Sequence, residues 1–306
     1  MEFFGFSRKL ALSTRIFNAQ AGNDLLRDAI RKGSPILISR FGTTEMEFCL
    51  DSHILNLESP SVSEKTMNLW RLSGVFPLNK EQLSKFFDVY TSSARSIDIC
   101  GLRIKPTEYS YWNLETRMLR EFQPSSSYVD IDLLCPISIK DPWTNSLEGK
   151  RILVIHPFKD SIERQLLLRA SLFKDADWLP KADYTVLKAP QTLSATSANE
   201  TWTDNLEETM DRVSKIDFDI ALIGCGAYGL PLGAKIKESG KVAIHVGGAL
   251  QLFFGILGLR WESELEKIIP ETHFKNWCWP DATETPVASK VVEGGAYWGG
   301  SPNDSG

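Results

Sequence analysis

The 306-residue sequence has few cysteines, few histidines and no long apolar run. Its five cysteines are scattered, without a Cys-x-x-Cys pair, which argues against a disulfide framework and a structural zinc site. No stretch is long and apolar enough to span a bilayer. The first residues lack the basic start and the apolar stretch of a signal peptide. We therefore expect a cytoplasmic protein, because free cysteines persist in that reducing compartment.

The sequence also lacks a strong excess of either charge. It has 34 basic and 39 acidic side chains, a net charge of −5. Non-specific nucleic-acid binding needs many lysines and arginines on phosphates, so we expect no nucleic-acid partner. A small basic pocket inside an acidic exterior is still compatible with this composition.

Short apolar runs alternate with polar stretches of helical spacing, a pattern typical of parallel sheets covered on both faces. The predicted strands are 35–39, 97–101, 128–134, 151–155, 184–187, 218–223 and 242–246. The predicted helices are 23–31, 44–50, 63–72, 80–93, 161–173, 203–215 and 232–239. The pattern predicts an α/β fold with a Rossmann-like, doubly wound, mostly parallel sheet.

The alternation is interrupted at 103–127 and at 136–149, and the second gap could join two halves. We favour one continuous sheet in a single domain, 1–285, followed by a Gly/Ser-rich tail, 286–306. Segment 3–17 mixes apolar and basic residues. It predicts an amphipathic helix, either packed on its own domain or in peripheral contact with a membrane surface.

Three loops at strand ends carry the candidate chemistry, because ligands of open parallel sheets bind at the carboxyl ends of the strands. In the first loop, Arg40 and Gly42 precede a helix that carries Glu45 and Glu47. An arginine and a carboxylate at this place can hold a phosphate and a divalent ion. The alternative is a capped helix whose acidic first turn only complements the helix dipole.

The second loop begins at His156, where a predicted strand stops and Pro157 turns the chain. His156, Lys159 and Asp160 are candidates to act on a ligand, since histidine is a natural general base near neutral pH. The alternative is a hydrogen-bonded structural histidine.

The third loop contains Gly224-x-Gly226-x-x-Gly229 between a strand and a helix. Such glycines let backbone amides approach a phosphate at a helix N-terminus. A dinucleotide site would place an acid at the end of the next strand, where this chain has His245. We therefore interpret the loop as phosphate-binding and not as an NAD site, with close strand–helix packing as the alternative.

Together and in this order, the three loops resemble the GT-D glycosyltransferases, bacterial enzymes of cell-surface and protein glycosylation. The family signature is a strand followed by Arg-Phe/Tyr-Gly-Asp-Gly-Glu, then a late Gly-x-Gly loop and a strand that ends in a small-residue turn. Residues 40–45 read Arg-Phe-Gly-Thr-Thr-Glu, so the glutamate is kept as Glu45 and Thr43 stands at the Asp position. Residues 241–261 resemble the family's late region.

The resemblance implies a transferase that moves a sugar from a nucleoside-diphosphate sugar to a hydroxyl of a glycan or glycoprotein acceptor, with Mn²⁺ or Mg²⁺ as a possible cofactor. It implies catalytic residues Glu45, His156 and Asp160, with Glu45 also the metal ligand. The implied nucleotide-sugar-binding residues are Arg40, Gly42, Gly224, Gly226, Gly229, His245 and Gly247. Gly248 would border the nucleotide.

Without a metal, cations must stabilise the leaving diphosphate, and the sequence offers Lys159, Arg164 and Arg260 besides Arg40. Tyr297 and Trp298 either stack on a sugar or anchor the tail to the core. Two other functions stay open: a nicotinamide-dependent oxidoreductase that uses the third loop, and a non-catalytic relative that binds a nucleotide or a partner.

Overall fold

The structure of the protein is a computed structural model that describes residues 16–55, 63–122, 127–135, 139, 141–173, 179–193, 200–261, 276–292 and 294–299. Within these residues the strands are β1 Ile36–Arg40, β2 Ile99–Leu102, β3 Ser127–Asp130, β4 Arg151–His156, β5 Asp183–Lys188, β6 Ile220–Ile223 and β7 Val242–His245. They form one sheet in the order β3-β2-β1-β7-β6-β4-β5. Every neighbouring pair is parallel, as the apolar runs predict.

The helices of the described residues lie between and after the strands. They are α1 Ala19–Lys32, α2 Thr43–Leu55, α3 Glu64–Ser73, α4 Lys80–Arg95, α5 Tyr109–Phe122, α6 Lys159–Leu167, α7 Arg169–Leu172, α8 Trp202–Val213, α9 Gly229–Glu238 and α10 Leu250–Phe253. Their starts follow from local capping: the Thr201 side chain accepts from Asp204 N, and the Asp204 carboxylate accepts from Thr201 N. None of these helices is long and apolar enough to cross a membrane.

Two apolar cores cover the two faces of the sheet, because successive strand residues point to opposite sides. In β1, Leu37 belongs to one core, which α2, α4, α5, α8 and α9 cover. Its neighbour Ile38 belongs to the other core, which α1, α6 and α10 cover. The fold is therefore α/β and doubly wound, as predicted.

The predicted helix 161–173 is two helices in the structure, α6 and α7, and α10 is not among the predicted helices. Three other differences lie at β3 and in the two gaps. Strand β3 ends at Asp130, because the Asp130 carboxylate accepts a hydrogen bond from Asp132 N and starts the 3₁₀ turn Ile131–Leu134. The first gap holds α5, whose buried face includes the polar Glu115 and Thr116 and so hides the apolar periodicity. The second gap holds the 3₁₀ helix Trp143–Leu147, packed in the core.

The two chain ends are described only in part. Of segment 3–17, only Ile16 and Phe17 lie within the described residues, and Phe17 N donates to the carbonyl of Tyr128. The predicted amphipathic helix lies outside them. In the predicted tail, Val292 and Trp298 are buried in the second core, and 300–306 lie outside the described residues.

Asn23 links α1 to the 141–143 segment and generates a prediction for stability. It is fully buried, its Nδ2 donates to Asp141 O at 3.0 Å, and its Oδ1 accepts from Trp143 N at 2.8 Å. Asn23→Ala leaves the buried backbone N–H of Trp143 unpaired and should lower the free energy of unfolding, measured by urea titration, by about 2–3 kcal/mol. Asn113→Ala, at an exposed position of α5, should change it by less than about 0.5 kcal/mol. Equal losses in the two variants would contradict the assignment.

Candidate functional site

A cavity of about 620 Å³ opens at the carboxyl edge of the sheet. Because the strands are parallel, β1, β4 and β7 deliver Arg40, His156 and His245 to this one edge. The loop after β6 adds Gly224 and Gly226. Residues from all three sequence loops thus line a single cavity, as the sequence predicts for a common site.

The glycines at this edge allow the loops to approach one another. A methyl group at Gly224 would lie 2.7 Å from the Gly247 carbonyl oxygen and 2.9 Å from Cδ2 of His156, both too close for a real side chain. Gly247 has a φ of 81° and faces the Arg40 side chain. At Gly229 a methyl group would overlap the imidazole of His245. Gly229 therefore serves close helix–strand packing, whereas Gly224 and Gly247 shape the cavity.

Arg40 is half-buried in the cavity wall. Its Nε and Nη2 donate to the carbonyl oxygen of Phe41 at 3.1 and 3.0 Å. No carboxylate of a described residue lies within 4 Å of its guanidinium. Burial, and next the charge of Arg103, lower the pKa of Arg40. The cavity therefore holds a partly desolvated cation that an anionic ligand can neutralise.

Glu45 lies in the first turn of α2 and is buried. Its carboxylate folds over Gly42, so a side chain at position 42 would displace the carboxylate from this place. The Gly42 N–H donates to the Tyr90 hydroxyl at 3.1 Å. Burial raises the pKa of Glu45, and hydrogen bonds and the Arg40 charge oppose the rise. Glu45 lines the cavity as a carboxyl group that favours its neutral form more than an exposed glutamate does.

The metal ion that the resemblance implies needs several oxygen ligands. Glu45 is the one acid in the stretch 40–45, since Thr43 replaces the family's aspartate. Among the described residues, no group of three or more His, Cys, Asp and Glu side chains is arranged to hold a metal. The donor set at Glu45 therefore does not fit an ion held by protein ligands alone.

The two cavity histidines are buried and neutral. His156 Nδ1 accepts a hydrogen bond from Phe158 N at 3.0 Å, which leaves the ring proton on Nε2. Burial lowers the pKa of His156 to about 3. His245 Nδ1 shares a 3.0 Å hydrogen bond with the Ser39 hydroxyl, and burial followed by the Arg40 charge lowers its pKa to about 3. In this arrangement His156 is a hydrogen-bond donor toward the cavity.

Three residues of the second sequence loop lie away from the cavity. Asp160 is exposed in the first turn of α6, Lys159 pairs with Glu163, and Arg164 pairs with Asp281 at 3.0 Å. The N–H groups of Asp160 and Ser161 instead donate to the buried carboxylate of Glu284. This carboxylate caps α6 and fastens the C-terminal segment to it.

The structure adds cavity residues that are not among the predicted site residues. Arg103, after β2, lines the cavity and pairs with Glu115 of α5 at 2.7 Å, with its guanidinium over the ring of Tyr111. Other cavity residues that sequence reasoning missed are Tyr90, Glu108, Gln191, Thr192, Tyr228 and Gln251. Tyr228 lies inside the glycine motif of the third loop, whereas Tyr90 and Glu108 lie away from strand ends and are brought here by the tertiary fold.

The C-terminal segment closes one side of the cavity. The Tyr297 ring packs on Gly248, where a side chain would overlap it, and the Tyr297 hydroxyl accepts from Arg260 Nη1 at 2.9 Å. Trp298 is buried 6.1 Å from the ring of Phe158, and its Nε1 donates to Glu284 O. Trp298 thus anchors the segment to the core, while Tyr297 and Arg260 line the cavity.

The neutral histidines predict an acid-sensitive fold. Unfolded histidines take up protons below pH 6.5, whereas folded His156 and His245 stay neutral to about pH 3, so stability falls as the pH drops through this window. Each should cost about 2 kcal/mol between pH 7 and pH 5. In urea titrations at both pH values, His156→Asn should reduce the difference by about 2 kcal/mol. The exposed His53, changed to Asn, serves as control, and an unchanged difference in His156→Asn would contradict the buried neutral state.

The family of the chain is identified by its similarity to known proteins. A family model described as the GT-D fold-like domain matches residues 18–253. A solved structure of the domain of unknown function 1792, described as having a distinct glycosyltransferase fold, is 12% identical, with 92% of this chain and 96% of that chain covered and a TM-score of 0.46.

A second solved structure is described as a new glycosyltransferase, also of domain 1792, from Streptococcus sanguinis. It is 10% identical, with 89% of this chain and 96% of that chain covered and a TM-score of 0.45. No curated protein sequence matches the chain. The family model spans most of the chain, from the N-cap of α1 to the last residue of α10. The chain therefore belongs to the GT-D-like family.

Proposed function

We propose that this protein is a glycosyltransferase that moves a sugar from a nucleoside-diphosphate sugar to an acceptor hydroxyl, in the assembly of a bacterial surface polysaccharide or glycoprotein. Membership of the GT-D-like family supports the reaction class. The observation that carries the proposal is Arg40, a half-buried cation without a described carboxylate partner, which lines the same cavity as the Gly224–Gly226 loop. Such a site suits a diphosphate.

Glycosyl transfer depends on stabilising charge that develops on the leaving diphosphate. Arg40 supplies a positive charge in a partly desolvated wall, where electrostatic interactions are stronger than in water. No atom of a described residue lies within 4 Å of the place where a Gly226 side chain would begin, so a phosphate oxygen can approach the backbone there. The N–H on Nε2 of His156 is available to a ligand oxygen.

The acceptor hydroxyl must lose a proton during transfer, and the cavity offers carboxylates for this step. Glu45 and Glu108 both line the cavity, whereas Asp160 lies outside it. Burial raises the pKa of Glu45, so its ionised carboxylate is a stronger base than that of an exposed glutamate. We assign Glu45 to the chemical step and leave Asp160 a surface residue in this proposal.

The first test is ligand binding. UDP-, GDP- and dTDP-sugars, each with and without Mn²⁺ or Mg²⁺, should raise the melting temperature of the full chain for at least one nucleotide. NADH should leave it unchanged, because β7 ends in His245 and no acid is there to hold the ribose. A ligand effect that needs metal would assign the ion to the substrate complex. No shift with any sugar nucleotide would overturn the proposal.

The second test is turnover. With the sugar nucleotide that binds, Arg40→Gln should lower the rate of nucleoside-diphosphate release about 100-fold, since one cation facing the leaving group is removed. Glu45→Gln should lower the rate while the binding affinity stays within a few fold. Arg151→Gln is the matched control, because Arg151 begins β4 at the opposite edge of the sheet. Binding without release in the unaltered chain would identify a non-catalytic relative.

A further inference from the structure

We propose that Arg103 is a second diphosphate-binding residue, held in place by Glu115, and that it works with Arg40 on the same anionic group. The inference rests on the proposed function for the identity of its ligand, but it concerns a residue that the family motif does not contain. The burial, contacts and charge of Arg103, Glu115 and Tyr111 support it.

Arg103 is held from two sides. Its Nη1 lies 2.7 Å from Oε1 of Glu115, and its backbone N–H donates to Oε2 of the same carboxylate at 2.8 Å. Its guanidinium carbon lies 4.5 Å from the centre of the Tyr111 ring. Both the main chain and the side chain of Arg103 are thereby fixed beside the cavity.

The ion pair between Arg103 and Glu115 is buried, and we infer that it has a role besides its contribution to the free energy of unfolding. The Glu115 side chain has 0% exposure and that of Arg103 has 13%. A buried ion pair contributes little net stability, because the cost of removing both charges from water offsets their attraction. In some proteins a buried polar or ionic pair instead fixes one arrangement of the groups around it. Here the fixed group is a guanidinium at the wall of the cavity.

Arg103 keeps donors for a ligand. Among the described residues, its guanidinium makes no side-chain hydrogen bond other than the one to Glu115. Guanidinium carries five N–H donors in a planar fork that matches phosphate oxygens. Arg103 lines the cavity, and no acceptor of a described residue takes its remaining donors.

Arg40 and Arg103 are electrostatically coupled across this wall. The charge of Arg103 acts on Arg40, and the carboxylate of Glu115 acts on both. The single negative charge of Glu115 balances one of these two positive charges. The three groups together therefore carry an excess positive charge, which a bound diphosphate neutralises. Thr43, which stands at the family's aspartate position, lines the same cavity as Arg40 and Arg103.

The experiment uses inorganic pyrophosphate as the probe, titrated calorimetrically into the full chain at low salt. Arg103→Gln should weaken pyrophosphate binding at least tenfold, and Arg103→Lys should recover part of the loss because it keeps the charge without the fork. Arg151→Gln, which alters an exposed arginine at the far edge of the sheet, should bind as the unaltered chain does.

Arg103→Gln leaves Glu115 unpaired in the interior, so the fold needs its own control. The double variant Arg103→Gln/Glu115→Gln removes both charges and should stay folded while losing the same affinity. Glu115→Gln alone keeps the cation but loosens it, and should weaken binding by less than Arg103→Gln. If Glu115→Gln lowers the melting temperature but leaves the pyrophosphate affinity unchanged, Glu115 is structural only and its positioning role is overturned.

The outcomes separate this inference from the proposed function. Pyrophosphate affinity within twofold of the unaltered chain in a folded Arg103→Gln or double variant would overturn the inference, whatever the turnover. No pyrophosphate binding by the unaltered chain would overturn it as well. Arg103-dependent binding in a chain that turns over no sugar nucleotide would support the inference and count against the proposed function.

Discussion

Hydrogen bonds between parallel strands determine where this protein can act. Parallel pairing of the described strands places all of their carboxyl ends at one edge, so residues far apart in sequence meet there. Arg40 ends β1 and His156 ends β4, with 115 residues between them, yet both line one cavity. An antiparallel strand in the middle of the sheet would send its last residue to the opposite edge.

The part of the site at strand ends could be predicted from the sequence. Apolar runs bounded by glycine or proline identified every described strand, because strands buried on both faces need little else. Arg40, Gly224 and His245 follow directly from those strand ends. Arg103 also follows a strand end, that of β2, but its partner Glu115 could not be predicted this way, because it lies twelve residues later on a helix whose buried face is partly polar.

Polar side chains at the cavity are oriented by partners behind them. Glu115 holds Arg103, Phe158 N–H holds His156 through its Nδ1, and the Ser39 hydroxyl holds His245. Each contact fixes a ring or a guanidinium before a ligand arrives, so little ordering is left to occur on binding. Such contacts leave no periodic trace in a sequence, because they join elements that are distant along the chain. They explain why the chemistry of the site exceeds what the loop motifs contain.

The Glu284 carboxylate joins the C-terminal segment to the first turn of α6, two parts of the molecule that are distant along the chain. It accepts from the first turn of α6, while Trp298, fourteen residues later, packs in the core beside Phe158. Opening the C-terminal segment therefore exposes the start of α6 and removes Tyr297 from the cavity in one event. The amide groups of Asp160, Ser161 and Trp298 belong to one cooperative unit and share one free energy of opening.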